Sequence, residues 1–250
     1  WQKLGRTLTM VDRYKGLISW SGTMFEYLMP LIIMKPFQNT LLDETYSFVI
    51  KSQKKYAKQR QMPWGVSESA FNSVDLHLDY QYKAIGVPWL GLKRGLIEDA
   101  VVAPYATFLA LMVDPVEAYK NIERLRAEGL EGQYGFYEAA DYTLERLNDN
   151  EKHTIIKSYM AHHQWMILLS LSNYVNDNIL QKRFFSNAEI KSANLLLQEK
   201  IPTHVVFAKE KKEKIRPFKG AIYSDVQVYR RYTEIDEVLS KTHVLSNGYY

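Results

Sequence analysis

Asp114-Pro115-Val116-Glu117, running through Ala118-Tyr119-Lys120-Asn121-Ile122-Glu123-Arg124-Leu125-Arg126 to Gly129, decides how this chain folds. An aspartate able to accept a backbone N–H, a proline at the first helical position, a glutamate at the third and a terminal glycine spell one complete helix. The same grammar recurs outward. Thr40-Leu41-Leu42-Asp43 resembles a capping box ahead of apolar Leu42, Tyr46, Val49 and Tyr56, and Ser186-Asn187-Ala188-Glu189 precedes Leu195, Leu196 and Leu197 in a helix expected to end near Lys200-Ile201-Pro202. Pro104 to Val113 and residues 151–176 are apolar on more than one face and read as buried helices. Residues 1–202 are therefore expected to be all-α, with Gly/Pro-rich loops of unequal length between the helices. From 203 to 250 the pattern turns to period two, with Ile222, Val226 and Val228 against Tyr223, Asp225, Gln227 and Tyr229, so a β-rich segment is expected there. The chain opens on Trp1-Gln2-Lys3-Leu4 and closes on a strand entering an Asn247-Gly248 turn, the expected look of a fragment cut at both ends.

Composition narrows the function classes. The 250 residues carry a net charge of +4 and no cysteine, which removes disulfides, thiolate metal sites and cysteine nucleophiles. The densest charge run, Lys209-Glu210-Lys211-Lys212-Glu213-Lys214, mixes signs and lacks aromatics, so it reads as a solvated loop and no nucleic-acid partner is expected. No apolar run approaches the roughly 18 residues of a membrane span. Phosphate-binding glycine motifs and the Gly-x-Ser-x-Gly elbow are absent, and no cofactor is expected.

The chemistry lies in two glycine-framed carboxylates beside aromatic rings: Pro63-Trp64-Gly65-Val66-Ser67-Glu68-Ser69 and Gly135-Phe136-Tyr137-Glu138. One carboxylic acid can protonate a glycosidic oxygen, a second carboxylate can attack the anomeric carbon or activate water, and flat rings stack on sugars. Glu68, in a turn-rich segment, is either that acid or an ordinary cap or ion-pair partner. Glu138, near an expected helix start, is either a catalytic group or a first-turn acid stabilised by the helix dipole. Glu26, inside Trp20-Ser21-Gly22-Thr23-Met24-Phe25-Glu26-Tyr27, is a charge in an apolar setting and needs a partner or a task. Trp20, Tyr80, Tyr82, Trp89, Tyr105 and Tyr137 are candidates to line a sugar cleft, although most aromatics simply pack. His162 and His163, expected at the centre of a long helix, can orient a substrate hydroxyl. Adjacent positions on a helix diverge by about 100°, so they make a poor metal pair, and no metal site is expected.

Taken in order, Ser19 to Pro30, Leu41-Leu42-Asp43-Glu44-Thr45, Pro63 to Ser69, Gln81-Tyr82, Gly91-Leu92-Lys93-Arg94-Gly95-Leu96, Val102-Ala103-Pro104-Tyr105-Ala106, Tyr134 to Ala139 and Tyr159-Met160-Ala161-His162-His163-Gln164 resemble the glucoamylase-like domain of bacterial cyclic β-1,2-glucan synthases. The tail after residue 203 resembles the start of their phosphorylase-like module, glycosyltransferase family 36. The resemblance implies an N-terminally incomplete (α/α)6 toroid over 1–202 that cyclises a β-1,2-glucan by retaining transglycosylation. It implies Glu138 as nucleophile and Glu68 as acid/base, the two roles being interchangeable on the residues alone, with Glu26 as a third or substrate-binding carboxylate. Trp20, Trp64, Tyr82, Tyr105, Tyr137, His162 and His163 are then expected to bind substrate. Trp165 departs from the smaller residue expected after His-His-Gln and bears on the width of the nearby pocket. Implied partners are the glucan and neighbouring modules of a longer chain, with a cytoplasmic location and an inner-membrane parent. Inverting hydrolysis, a glucan-holding module without catalysis and an all-helical scaffold with no sugar role are the competing readings.

Overall fold

A computed structural model describes residues 7–197 of the chain. Eight α-helices appear there: α1 (Met24–Leu28), α2 (Leu41–Arg60), α3 (Pro104–Leu109), α4 (Pro115–Ala127), α5 (Ala161–Val175), α6 (Ile179–Ser186), α7 (Ala188–Ser192) and α8 (Asn194–Leu197). Between them lie nine short strands: β1 (Leu8–Val11), β2 (Tyr14–Leu17), β3 (Ser69–Val74), β4 (Tyr80–Lys83), β5 (Val101–Val102), β6 (Glu131–Gly132), β7 (Gly135–Phe136), β8 (Ala139–Asp141) and β9 (Thr154–Ile156). The all-α expectation is thus corrected to a helical domain with small sheets. These strands run two to six residues, too short for a period-two pattern to stand out from the loops around them. They pair locally, β1 with β2, β3 with β4, β6 with β7, and β5-β8-β9 as a three-stranded antiparallel sheet.

The caps form as their residues dictate. Thr40 accepts from the Asp43 N–H and Asp114 from the Glu117 N–H, with Pro115 at the start of α4. Gly129 follows α4 at φ +87°, and Asn187 caps α7. α2 buries Tyr46, Val49, Gln53 and Tyr56, one stripe at helical spacing, although Leu42 at its start is exposed. α3 is buried along its whole length and packs on α1, α4 and α5, making it the centre of the core.

The helix expected over 151–176 is also corrected. β-branched Thr154-Ile155-Ile156 pairs with Ala139-Ala140-Asp141 as β9, and α5 begins only at Ala161. His162 and His163 therefore sit in its first turn, not its middle. α5 buries His163, Met166, Ile167, Ser170 and Asn173 and leaves Trp165, Leu168 and Val175 exposed, so it is one-sided. The helix end expected near Pro202 and the β-rich segment 203–250 lie outside the described residues.

Candidate active site

Two buried amides build the loop that carries Glu68. Gln53 of α2 is fully buried; its Oε1 accepts the Val66 N–H at 2.9 Å and its Nε2 donates to the Val66 carbonyl at 2.8 Å. Asn121 of α4 does the same for Trp64, accepting its N–H at 3.2 Å and donating to its carbonyl at 2.7 Å. Between them Gly65 holds φ +120°, where a Cβ would stand 2.9 Å from Thr107 Oγ1. The chain is thereby delivered to Ser67, whose Oγ accepts the Phe25 N–H and meets the Tyr105 hydroxyl at 2.8 Å. Tyr105 in turn donates to the Glu68 carbonyl at 3.0 Å. Glu68 follows, half-buried, one residue ahead of β3.

Glu138 reaches the same place from the other side. It sits between β7 and β8, not at a helix start, so the helix dipole has no part in its role. Its side chain is fully covered, with Oε1 accepting the Ala70 N–H of β3 at 3.2 Å and Oε2 meeting His163 Nδ1 at 2.9 Å. The His163 ring stacks on Tyr105 at 3.8 Å and 17°, and its Nε2 lies 3.4 Å from the Tyr82 hydroxyl. Burial raises the Glu68 carboxyl above its ordinary range; the neighbouring His163 opposes that and Glu26 reinforces it. Tyr82 and Tyr105 are both raised by burial, and both feel Glu68 and Glu138. Burial lowers His162, His163 adds to that, and Glu138 opposes it.

The other expected site residues divide by burial. Trp64 is 6% exposed and Tyr105 1%, so these rings pack inward and do not offer an open sugar platform. His163 is 1% exposed and touches Glu138. Glu26 is the third residue of α1 and closes a capping box with Thr23; its carboxylate also accepts from Ser19 Oγ at 2.8 Å and the Ser21 N–H at 3.1 Å. That is the partner its burial demanded. Trp20 is 67% exposed and Tyr82 41%, His162 is exposed, and Tyr137 is half-buried against Tyr159. Tyr80 and Trp89 pack against the core. The supports Gln53, Asn121 and Ser67 escaped the sequence reading, because a polar residue in a helix or turn looks like surface until the fold closes around it. Among the described residues no group of three or more acidic or histidine side chains could hold a metal ion, and no helix is long and apolar enough to cross a membrane.

The site thus holds a fully covered carboxylate, Glu138, and a half-buried one raised by burial, Glu68, both linked to the Tyr105–His163 ring stack. The chain belongs to the glucoamylase-like family: residues 1–188 match the Glycoamylase model, described as "Putative glucoamylase". Over its whole length it is 40% identical to the cyclic β-(1,2)-glucan synthase NdvB of Rhizobium meliloti (strain 1021), of which it spans 9%. An endo-β-1,2-glucanase from Chitinophaga pinensis, solved with sophorotriose and glucose, superposes with a TM-score of 0.58 at 18% identity, over 79% of this chain and 48% of that one. A glucoamylase-like protein from Bacteroides caccae ATCC 43185 superposes with a TM-score of 0.57 at 19% identity, with the same coverage of 79% and 48%. At these identities the superpositions establish a shared fold.

Proposed function

We propose that this chain acts on β-1,2-linked glucan and cyclises it by retaining transglycosylation. The observation that carries the reading is the unequal pair: Glu68, half-buried with its carboxyl raised by burial, and Glu138, fully covered with Oε1 on the Ala70 N–H and Oε2 against His163 Nδ1. The linkage is supported by the 40% identity to NdvB and the shared fold of the Chitinophaga pinensis glucanase. Glu68 protonates the glycosidic oxygen as the C–O bond breaks, and Glu138 attacks the anomeric carbon to form a glycosyl ester. Glu68, now a carboxylate, takes the proton from a hydroxyl at the glucan's own non-reducing end, whose oxygen displaces Glu138 and closes the ring. Trp20, Tyr82, Tyr137 and His162, the candidate rings that are not fully buried, are the ones assigned to meet sugar. The Glu138 side chain is fully covered, so the reaction needs an opening over it.

That covered side chain also favours a second reading, in which a water stands between Glu138 and the sugar and the product inverts. Linear β-1,2-glucan treated with the wild type, Glu138→Gln and Glu68→Gln separates them. Ring products in mass spectra, lost by at least about 10²-fold in both variants, support cyclisation. Linear products of inverted anomeric configuration by NMR support hydrolysis. Unchanged products in both variants reject the site. By the same resemblance we place the eight helices in part of an (α/α)6 toroid, a phosphorylase-like module after residue 202, and the site on the cytoplasmic side of an inner-membrane parent.

A further inference from the structure

A fully covered carboxylate binds a proton unless donors stabilise its anion, and for Glu138 the Ala70 N–H supplies only one. The second contact is His163 Nδ1, and everything around that ring fixes it in place. Tyr105 lies flat against one face at 3.8 Å, α5 holds the His163 backbone through a 3.0 Å bond to the Met160 carbonyl, and the Tyr82 hydroxyl stands 3.4 Å from Nε2. When the Tyr82 hydroxyl donates to Nε2, the ring hydrogen lies on Nδ1, facing Glu138.

We infer that His163 is a positioning residue: it does not touch the glucan, but donates its Nδ1–H to Glu138 and keeps that carboxylate anionic and aimed, with Tyr82 selecting the tautomer. The inference rests on Glu138 and Glu68 being the reacting pair. It replaces the expectation that His163 binds substrate, which its 1% exposure contradicts. The other titratable groups facing this pair are Tyr105 from α3, Glu68 from the loop before β3 and His162 beside it on α5, with Glu26 acting on Glu68 from α1. None of them reaches Glu138 with a donor among the described hydrogen bonds, so His163 has no substitute in the site.

The test is the pH–rate profile of the full chain on linear β-1,2-glucan. His163→Phe preserves a ring against Tyr105 and removes the donor. Its kcat should fall by about a hundredfold with KM changed by less than about threefold. The acid limb of kcat/KM should move to higher pH, because a carboxylate that loses a donor binds its proton more tightly. His163→Asn, which can present an N–H near the Nδ1 position, should recover most of kcat and return the limb toward wild type. Tyr82→Phe, at a partly exposed position, should shift the limb in the same direction by less; it decides the matter if His163→Phe fails to fold by circular dichroism. A His163→Phe enzyme with kcat within about threefold of wild type, one with raised KM and unmoved kcat, an acid limb unmoved in both His163→Phe and Tyr82→Phe, or a His163→Asn enzyme no better than His163→Phe would overturn the inference. Glu138→Gln, run alongside, separates the two levels: activity retained there removes the underlying site, whereas an inactive Glu138→Gln beside an active His163→Phe removes only the role given to His163.

Discussion

Burial holds the Glu68 carboxyl above the ordinary carboxylate range, against the opposing effect of His163 and with the support of Glu26. Because the folded-state value exceeds the unfolded one, protonation of Glu68 contributes stability that is fully present below the unfolded carboxyl range, about 4.3, and is lost as pH rises through the raised value. Glu68→Gln should therefore melt higher than wild type at pH 7, with the difference vanishing near about pH 3, where both side chains are neutral. Equal melting at both pH values would show that burial places no strain on the ionised side chain. In the proposed mechanism the alkaline limb of the activity profile belongs to the same proton. Glu26→Gln keeps the capping geometry of α1 while removing a negative neighbour, so that limb should move to lower pH. Sequence marked all three glutamates, but not their settings: a capping carboxylate, a half-buried one and a fully covered one differ only in what surrounds them.

At the scale of elements, the loop 63–68 is held from outside, by amides on α2 and α4. Asn121→Ala leaves the Trp64 N–H and C=O without these partners and should cost about 1–3 kcal/mol in denaturant unfolding, with activity falling as Glu68 loses its setting. Gln53→Ala should behave alike. Gly65→Ala meets both a left-handed φ and the Thr107 hydroxyl, and should cost more than about 1 kcal/mol by the same measurement. The helices bearing these amides were legible from their caps, because a cap is a local bargain between a side chain and the next turn. The strands were not: β3 gains its place from Glu138 and Asp141, which lie about seventy positions away and take its Ala70 and Asn72 N–H groups.

Across the whole molecule, one ionic cluster ties the halves of the site together. Asp141 is fully covered and accepts from Arg146 Nε at 2.7 Å and from the Asn72 N–H of β3, while Arg146 also reaches Asp99 at 2.8 Å and lies over the Phe71 ring. Arg146→Met strands the Asp141 charge and should destabilise the fold by about 3–5 kcal/mol in denaturant unfolding, an effect only weakly reduced by salt, because the pair is buried. A cost under about 0.5 kcal/mol would make the cluster a surface feature. None of its members drew notice in the sequence, where an Asp and an Arg five positions apart look like any charged loop. The amino-acid sequence by itself determined what is local or carried by ordered motifs: the capped helices, the glycine-framed carboxylates and the family. Only the tertiary structure decided which rings are floor and which are rim, that Gln53 and Asn121 hold the Glu68 loop, and that His163 faces Glu138. Those facts depend on which distant segments exclude water around a side chain, and burial is a property of the closed fold, not of spacing along the chain.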